Sequence, residues 1–205
     1  MEPTEYGRIA PYYDLVYEDV HDIAMYKRLA REFGEPILEI ACGTGRVMLE
    51  LAKLGYEVGG VDNNNDMLDI LRKKLEKMPA DMKHHIKIKQ ADMRNFNMER
   101  RYRLAIIPFT SFFHLSSTKD RESCLRAAFE HVINGGRVVV DVFNPDENRE
   151  QGTVRHEATK TDKRGMVISK FSTSKMNKTA KAINCHHFID VTDKTGNMNR
   201  VTINF

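Results

Sequence analysis

Hydrophobic positions in the first 34 residues recur at spacings of three and four: Tyr6, Ala10, Tyr13 and Tyr17, then Ile23 to Leu29. That period places them on one face of a helical lead-in, which Gly34 and Pro36 punctuate. From residue 37 the pattern alternates. An apolar run at 37–41 predicts a strand, and Val47, Leu51 and Leu54 mark a helix face. Residues 57–62 predict a second strand. A helix follows with Met67, Leu68, Leu71, Leu75 and Met78 on one face and Asn64 or Asn65 as its N-cap. Further strands are predicted at 86–90 and 104–108. Ser117 or Thr118 caps a helix bearing Cys124, Leu125, Ala128, Phe129 and Val132, and Asn134-Gly135-Gly136 reads as its stop. Residues 137–143, RVVVDVF, predict a fifth strand whose nearly unbroken apolar content implies cover on both faces.

Strands alternating with helices imply right-handed crossovers and a Rossmann-like, doubly wound, mostly parallel sheet. After Pro145 the pattern changes to short β-rich segments at 153–159, 166–172, 180–191 and 200–205. Turn residues at 162–165, 176–179 and 193–197 separate them. Ile183, Cys185, His187, Ile189 and Val191 alternate strictly and so share one face. Two domains are expected: an α/β domain over 1–145 and an antiparallel β appendage over 146–205.

Composition adds bounds. The chain has 205 residues, 41% hydrophobic and 30% charged, as ordinary globular proteins do. No run approaches the ~18 apolar residues of a membrane span, and MEPTEYGRIA lacks a signal-peptide layout. A cytoplasmic protein with no membrane partner is expected. Cys42, Cys124 and Cys185 lack metal-ligand spacing and read as reduced thiols. The doublets His84-His85 and His186-His187 point to opposite faces if extended, so no metal is expected there. Residues 149–205 carry 11 Lys/Arg against 5 Asp/Glu, leaving a net −3 for the rest of a +3 chain. Those charges alternate with Thr, Ser and Asn as strand faces do, without an Arg cluster or interleaved aromatics, so nucleic acid is not the expected partner.

The chemistry concentrates at ILEIACGTGRV, residues 37–47. A strand meeting Gly43-Thr44-Gly45 and then a helix is the layout of a nucleotide turn, but a dinucleotide loop requires a third small residue where Met48 stands. Three acids fall at or near strand ends: Glu39, Asp62 and Asp92. Asp62 lies 17 residues past Gly45, near the ~20 at which an acid reaches ribose hydroxyls. Three acids around a glycine turn, with Arg46 the sole base in it, suit a ligand with hydroxyls, an amine and positive charge. S-adenosylmethionine has that profile, and glycines allow the backbone to approach it closely.

At these residues the sequence resembles the class I S-adenosylmethionine-dependent methyltransferases. Their first motif, an acid, a small residue two positions on, then G-x-G, matches Glu39, Ala41, Gly43 and Gly45. The second-strand acid matches Asp62, the acid near the adenine matches Asp92 with Met93 beside it, and the fourth-strand motif matches residues 107–115. The resemblance covers roughly residues 5–145. Within the family the small-molecule branch resembling glycine/sarcosine N-methyltransferases is closest, because its Y-(x)-A-x-x-Y-D lead-in matches Tyr6, Ala10, Tyr13 and Asp14. The resemblance implies that residues 1–34 form a lid over the cofactor and that the appendage roofs the acceptor pocket. It implies a cofactor shell of Tyr13, Glu39, Ala41, Gly43, Gly45, Asp62, Asn63, Met67, Asp92, Met93 and Phe109. Where the acceptor must lose a proton, Tyr13, His114 or solvent would take it. The expected reaction is methyl transfer to a small-molecule N, O or C nucleophile.

The family's sheet normally gains a helix and two more strands after the fifth, and no such segment follows here. Truncation, divergence or completion by a partner chain would each account for that. A homodimer is the favoured assembly, because an unpaired sheet edge is a pairing template. The rival readings are an NAD-type oxidoreductase, a cofactor-binding accessory subunit without catalysis, and RNA methylation.

Overall fold

A computed structural model of the chain describes residues 5–18, 21–144, 151–177, 179 and 182–204. It divides into two compact units: Val20–Phe143, and Met1–Asp19 together with Asn144–Phe205.

In the first unit five strands, β1 (Ile37–Ile40), β2 (Val58–Asp62), β3 (Ile86–Gln90), β4 (Tyr102–Ile107) and β5 (Val132–Val140), form one sheet. Their order is β3-β2-β1-β4-β5 and every pairing is parallel. The order reverses between β1 and β4, and such switch points open the crevice where α/β sheets bind ligands. Side chains alternate across it. Ile37, Leu104 and Ile106 face α2 (Ile23–Phe33), α3 (Met48–Ala52) and α4 (Asn65–Glu76). Leu38, Ile40, Ala105 and Ile107 face α6 (Thr118–Glu130). Asn64 caps α4 by accepting the Met67 N–H at 3.1 Å, and Ser117 caps α6 by accepting that of Asp120 at 3.0 Å. A short α5 (Ala80–Lys83), which no periodicity marked, precedes β3.

Two sequence expectations are corrected here. The α6 helix does not run to Asn134-Gly135-Gly136. It ends at Glu130, where the Tyr102 N–H takes the His131 carbonyl at 2.7 Å and so starts the β4–β5 ladder. The glycines then form a bulge: pairing steps from Tyr102↔Val132 to Leu104↔Arg137, and Gly135 lies at φ +79°. A Cβ on Gly136 would sit 2.9 Å from the Arg103 carbonyl oxygen, which is why that approach takes glycine. The cover on both faces expected of β5 is only partial: Val138 and Val140 pack on the α6 side and Val139 on the other, all three half-buried because β5 is the edge strand, and the strand ends at Val140, leaving Val142 and Phe143 exposed.

The helical lead-in consists of two helices. The first, α1 (Glu5–Val16), belongs with the antiparallel unit of β6 (Arg155–Thr161), β7 (Val167–Asn177), β8 (Ala182–Thr192) and β9 (Met198–Asn204), ordered β6-β7-β8-β9. Ile9 and Val16 pack on Ile168, Ile189, Val191 and Ile203 of that sheet. Beside them the buried Lys170 ammonium pairs with Glu157 at 2.6 Å and lies 3.9 Å from the centre of the Tyr17 ring. Turns fall at 162–166 and 193–197, as the Asp and Gly residues there predict. The expected turn at 176–179, the start of the strand at 180–191 and Phe205 lie partly or wholly outside the described residues. No helix among those residues is long and apolar enough to cross a membrane.

Candidate cofactor site

The carboxyl end of β1 places Glu39 and the glycine turn together at the switch point. Glu39 is 2% exposed, paired in register with Gly60 and Ile106, and its Oε2 has no hydrogen-bond partner among the described residues. Burial pushes its pKa up to about 8, against the pull of the Arg46 charge and the Met48 amide. Arg46 is itself held by Asp22 through two bonds, Nη1–Oδ1 at 2.5 Å and Nη2–Oδ2 at 2.7 Å, and lies 5.0 Å from the Phe109 ring centre. One of its two oxygens, Oε2, is thus buried beside the open turn with its hydrogen-bonding capacity unused, which is costly.

After β1 the chain turns left-handed at Ala41, Gly43 and Gly45 (φ +63°, +52° and +82°). The two glycines have different reasons. A Cβ on Gly45 would lie 2.5 Å from Leu71 Cδ1, so this one seats the turn on α4. A Cβ on Gly43 would meet only Met67 Cε at 3.4 Å and Asp62 Oδ2 at 4.0 Å, which leaves a bare backbone surface there. The Gly43 N–H donates to Asp62 Oδ2 and the Asn64 N–H to Asp62 Oδ1, both at 2.8 Å. Asp62 therefore clamps the turn to the start of α4. Burial raises its pKa, and the amides of Asn64, Gly43 and Asn63 oppose that shift.

The other expected residues take varied places. Asn63 is exposed beyond β2 with its carbonyl accepting from Gln90, and Met67 is buried beneath Gly43. Asp92 is bound by Arg94, which donates to it from the backbone N–H (2.8 Å), Nε (2.9 Å) and Nη2 (2.6 Å) and reaches on to Asp120 at 2.9 Å. That cation holds the Asp92 carboxyl below the usual range. Met93 packs on the core beside α6. Phe109 and Thr110 are both left-handed (φ +52° and +57°) and are fixed by Asp141, whose Oδ2 accepts the Phe109 N–H at 3.0 Å and the Tyr26 hydroxyl at 3.1 Å. His114 ends the 3-10 turn Ser111–His114 that follows, and desolvation lowers its pKa. Tyr13 lies in α1, with its ring 6.5 Å from that of Tyr6 and 4.6 Å from that of Tyr17. Cys42 is a packed thiol, pushed well above its ordinary pKa by burial.

Sequence reasoning missed Asp22, Tyr26, Arg94 and Asp141. Asp141 left a signal, as the lone charge inside RVVVDVF. Asp22 and Tyr26 left none, because their partners are far away in the chain.

A parallel sheet with an acid-bearing glycine turn at its switch point defines an α/β fold built to bind a ligand beyond the carboxyl ends of its strands. Comparison with known proteins carries this further. A family model described as a methyltransferase domain matches residues 37–136. The chain is 30% identical over 196 residues to the dTDP-3-amino-3,6-dideoxy-alpha-D-glucopyranose N,N-dimethyltransferase of Streptomyces fradiae, covering 92% of this chain and 73% of that protein. It is 28% identical over 173 residues to the dTDP-3-amino-3,4,6-trideoxy-alpha-D-glucopyranose N,N-dimethyltransferase of Streptomyces venezuelae, covering 80% and 69%. The solved CcbJ methyltransferase of Streptomyces caelestis superposes with a TM-score of 0.78 at 25% identity, over 100% of this chain and 82% of that one. The chain belongs to the class I S-adenosylmethionine-dependent methyltransferases, and the oxidoreductase reading falls. The site fits that cofactor: an orphaned buried carboxyl oxygen suits an ammonium, and the bare Gly43 backbone admits a close neighbour.

Proposed function

We propose that this enzyme N-methylates an amino group on a nucleotide-linked sugar. The observation carrying the proposal is the reach of the similarity. The family model stops at residue 136, whereas the match to the Streptomyces fradiae enzyme spans 92% of the chain and so extends into the antiparallel unit. That unit is where an acceptor-recognising appendage was expected.

Bound S-adenosylmethionine supplies an electrophilic methyl group on a sulfonium. In this reading Glu39 takes the cofactor's α-ammonium, the Gly43 and Gly45 backbone lies beneath its methionine portion, and Asp62 and Asn63 present oxygen atoms to the ribose. Met67, Met93 and Phe109 provide apolar contacts and Asp92, held by Arg94, meets the adenine amine. An amine must be neutral to attack, and a His114 whose pKa lies below the ordinary value is an unprotonated imidazole at neutral pH, able to take the acceptor's proton. Positioning does the rest.

The test is direct. The protein is incubated with S-adenosylmethionine and a dTDP-3-amino-3,6-dideoxyglucose, and products are read by mass spectrometry. One or two added methyl groups on nitrogen are expected. Methylation of the corresponding hydroxy sugar, with the amine left untouched, would overturn the reading.

A further inference from the structure

Glu39, Asp62, Asp92 and Asp141 all stand at or near the carboxyl ends of the parallel strands, and the last of them has an oxygen to spare. Asp141 follows β5 directly, and its own N–H prolongs the β4–β5 ladder by donating to the Ile107 carbonyl at 3.0 Å. Its Oδ2 is committed to the Phe109 N–H and the Tyr26 hydroxyl. Its Oδ1 has no hydrogen bond, and the residue no ion pair, among the described residues. Nor is that oxygen sealed in, since Asp141 is half-buried and Oδ1 is not among the buried atoms left without a partner. Arg46, whose guanidinium lies over the Phe109 ring, is already held by Asp22. Two bonds on one oxygen thus fix the carboxylate, while the other faces solvent.

Its position matters as much as its charge. Glu39, Ile106 and Val139 lie in register across β1, β4 and β5, and Asp141 is two residues beyond Val139. Side chains alternate along a strand, so Asp141 shares with Glu39 the face that α2, α3 and α4 cover. Strand spacings of ~4.8 Å and rises of ~3.3 Å per residue put the two Cα atoms about 12 Å apart. Both belong to the Val20–Phe143 unit. With an α-ammonium on Glu39, that gap is long enough for the methionine chain of the cofactor and, beyond its methyl group, an acceptor nitrogen. The 3-10 turn that ends at His114 lies alongside, because Phe113 within it meets Phe143 edge-on at 5.2 Å.

We propose that Asp141 Oδ1 accepts a hydrogen bond from the acceptor's amino nitrogen and stabilises the positive charge that methyl transfer builds there. The inference rests on the amino-sugar reading above. The amine arrives as an ammonium, and its proton passes to His114 or solvent. The freed lone pair then forms the bond to the methyl carbon, while the electron pair of the broken carbon–sulfur bond returns to sulfur. Positive charge moves from sulfur to nitrogen, and a fixed carboxylate at the nitrogen favours that movement. A hydroxyl acceptor offers no ammonium to hold, so Asp141 also selects amine over alcohol.

The wild type and Asp141→Asn are compared as S-adenosylhomocysteine complexes. An asparagine oxygen still accepts from Phe109 and Tyr26, so the variant removes the charge and keeps the corner. Each complex is titrated calorimetrically at pH 7 with dTDP-3-amino-3,6-dideoxyglucose and with its 3-hydroxy counterpart. The wild type should prefer the amine by about tenfold, the weak end for a charge-assisted bond because Oδ1 is open to water. Asp141→Asn should lose that preference at unchanged Tm and S-adenosylhomocysteine affinity, and its kcat should fall by at least about tenfold. Equal binding of both sugars by the wild type, or a preference kept by Asp141→Asn, overturns the proposal, and the first of these needs no variant to fold. Binding of neither sugar ends this inference and the function together. If the wild type methylates the amine and Asp141→Asn keeps its preference and kcat, this inference falls and the function stands. If an Asp141-dependent preference for the amine is present but nitrogen is not methylated, the function falls and the binding site stands.

Discussion

Cofactor affinity should depend on pH through Glu39. With its pKa at about 8 in the free protein, the side chain is a neutral acid in roughly nine of ten molecules at pH 7. An α-ammonium beside Oε2 favours the carboxylate, so binding at pH 7 must expel close to one proton. Observed affinity should then rise by about tenfold per pH unit between pH 6 and 7 and level off towards pH 8. Above ~8 the ligand's own α-amino group loses its charge, and affinity should fall again. The assay is calorimetric titration of S-adenosylhomocysteine from pH 6 to 9 in buffers of different ionisation enthalpy, which counts protons directly. Glu39→Gln should bind more weakly at pH 8 and lose the rise below it. Stability runs in the opposite sense. A folded-state pKa raised above the unfolded value near 4.5 means that the folded protein holds the proton more tightly. Glu39's own contribution to the ligand-free fold is thus most favourable below pH 4.5 and falls by up to ~1.4 kcal/mol per pH unit as pH climbs towards 8. Glu39→Gln escapes that loss, so its Tm advantage should widen over this window and then stay constant. An affinity flat from pH 6 to 8 with no buffer-dependent heat would refute the assignment of Glu39 as the ammonium acceptor.

Four further outcomes are expected. Gly45→Ala forces a Cβ to 2.5 Å from Leu71 Cδ1 at a φ of +82° and should destabilise by about 2–4 kcal/mol, read by urea denaturation; a change below ~1 kcal/mol would mean that the turn is not fixed as described. Tyr102→Phe removes a buried hydroxyl with no partner and should leave stability unchanged or raise it by about 1–2 kcal/mol, with a marked drop in Tm counting against that account. Asp62→Asn should weaken S-adenosylhomocysteine binding and also lower Tm, since both its oxygens hold backbone amides of the turn; weaker binding at unchanged Tm would limit its role to ligand contact. The β5 edge, with Phe129 of α6 72% exposed, should support a homodimer, and light scattering that gives a monomer at all concentrations would dismiss it.

The sheet was legible because parallel strands covered on both sides carry near-continuous apolar runs, as ILEI at 37–40 does. The same rule overstated β5, since RVVVDVF is equally apolar yet sits at the edge, where Val138 to Val140 pack on both faces but stay half-buried. Apolar content reports what a strand is able to bury, while its neighbours decide what it does bury. The glycines at 135 and 136 misled for a related reason. A Gly pair serves a helix stop and a β-bulge alike, and the choice fell to a long-range bond, Tyr102 N–H to His131 O, that no local pattern encodes. The split of the lead-in has the same origin. Helical period was readable in both halves, but the association of α1 with the antiparallel unit depends on Ile9 and Val16 meeting strands more than 150 residues later.

The acids at the site show how far residue type alone carries. Glu39, Asp62 and Asp92 looked equivalent in sequence, three carboxylates near strand ends. The structure separates them by partner. Asp92 spends its charge on Arg94, Asp62 spends its lone pairs on two backbone amides, and Glu39 keeps one buried oxygen unspent. Only the last has an unmet need that a cationic ligand answers. Asp62 earns its place by shaping the bare Gly43 surface, so its loss should act on ligand and fold together, whereas the loss of Glu39 should weaken the ligand and relieve the fold. Opposite signs in stability for two acids of the same motif are a consequence of their hydrogen-bond partners, which the sequence does not state and the backbone trace around Gly43 does.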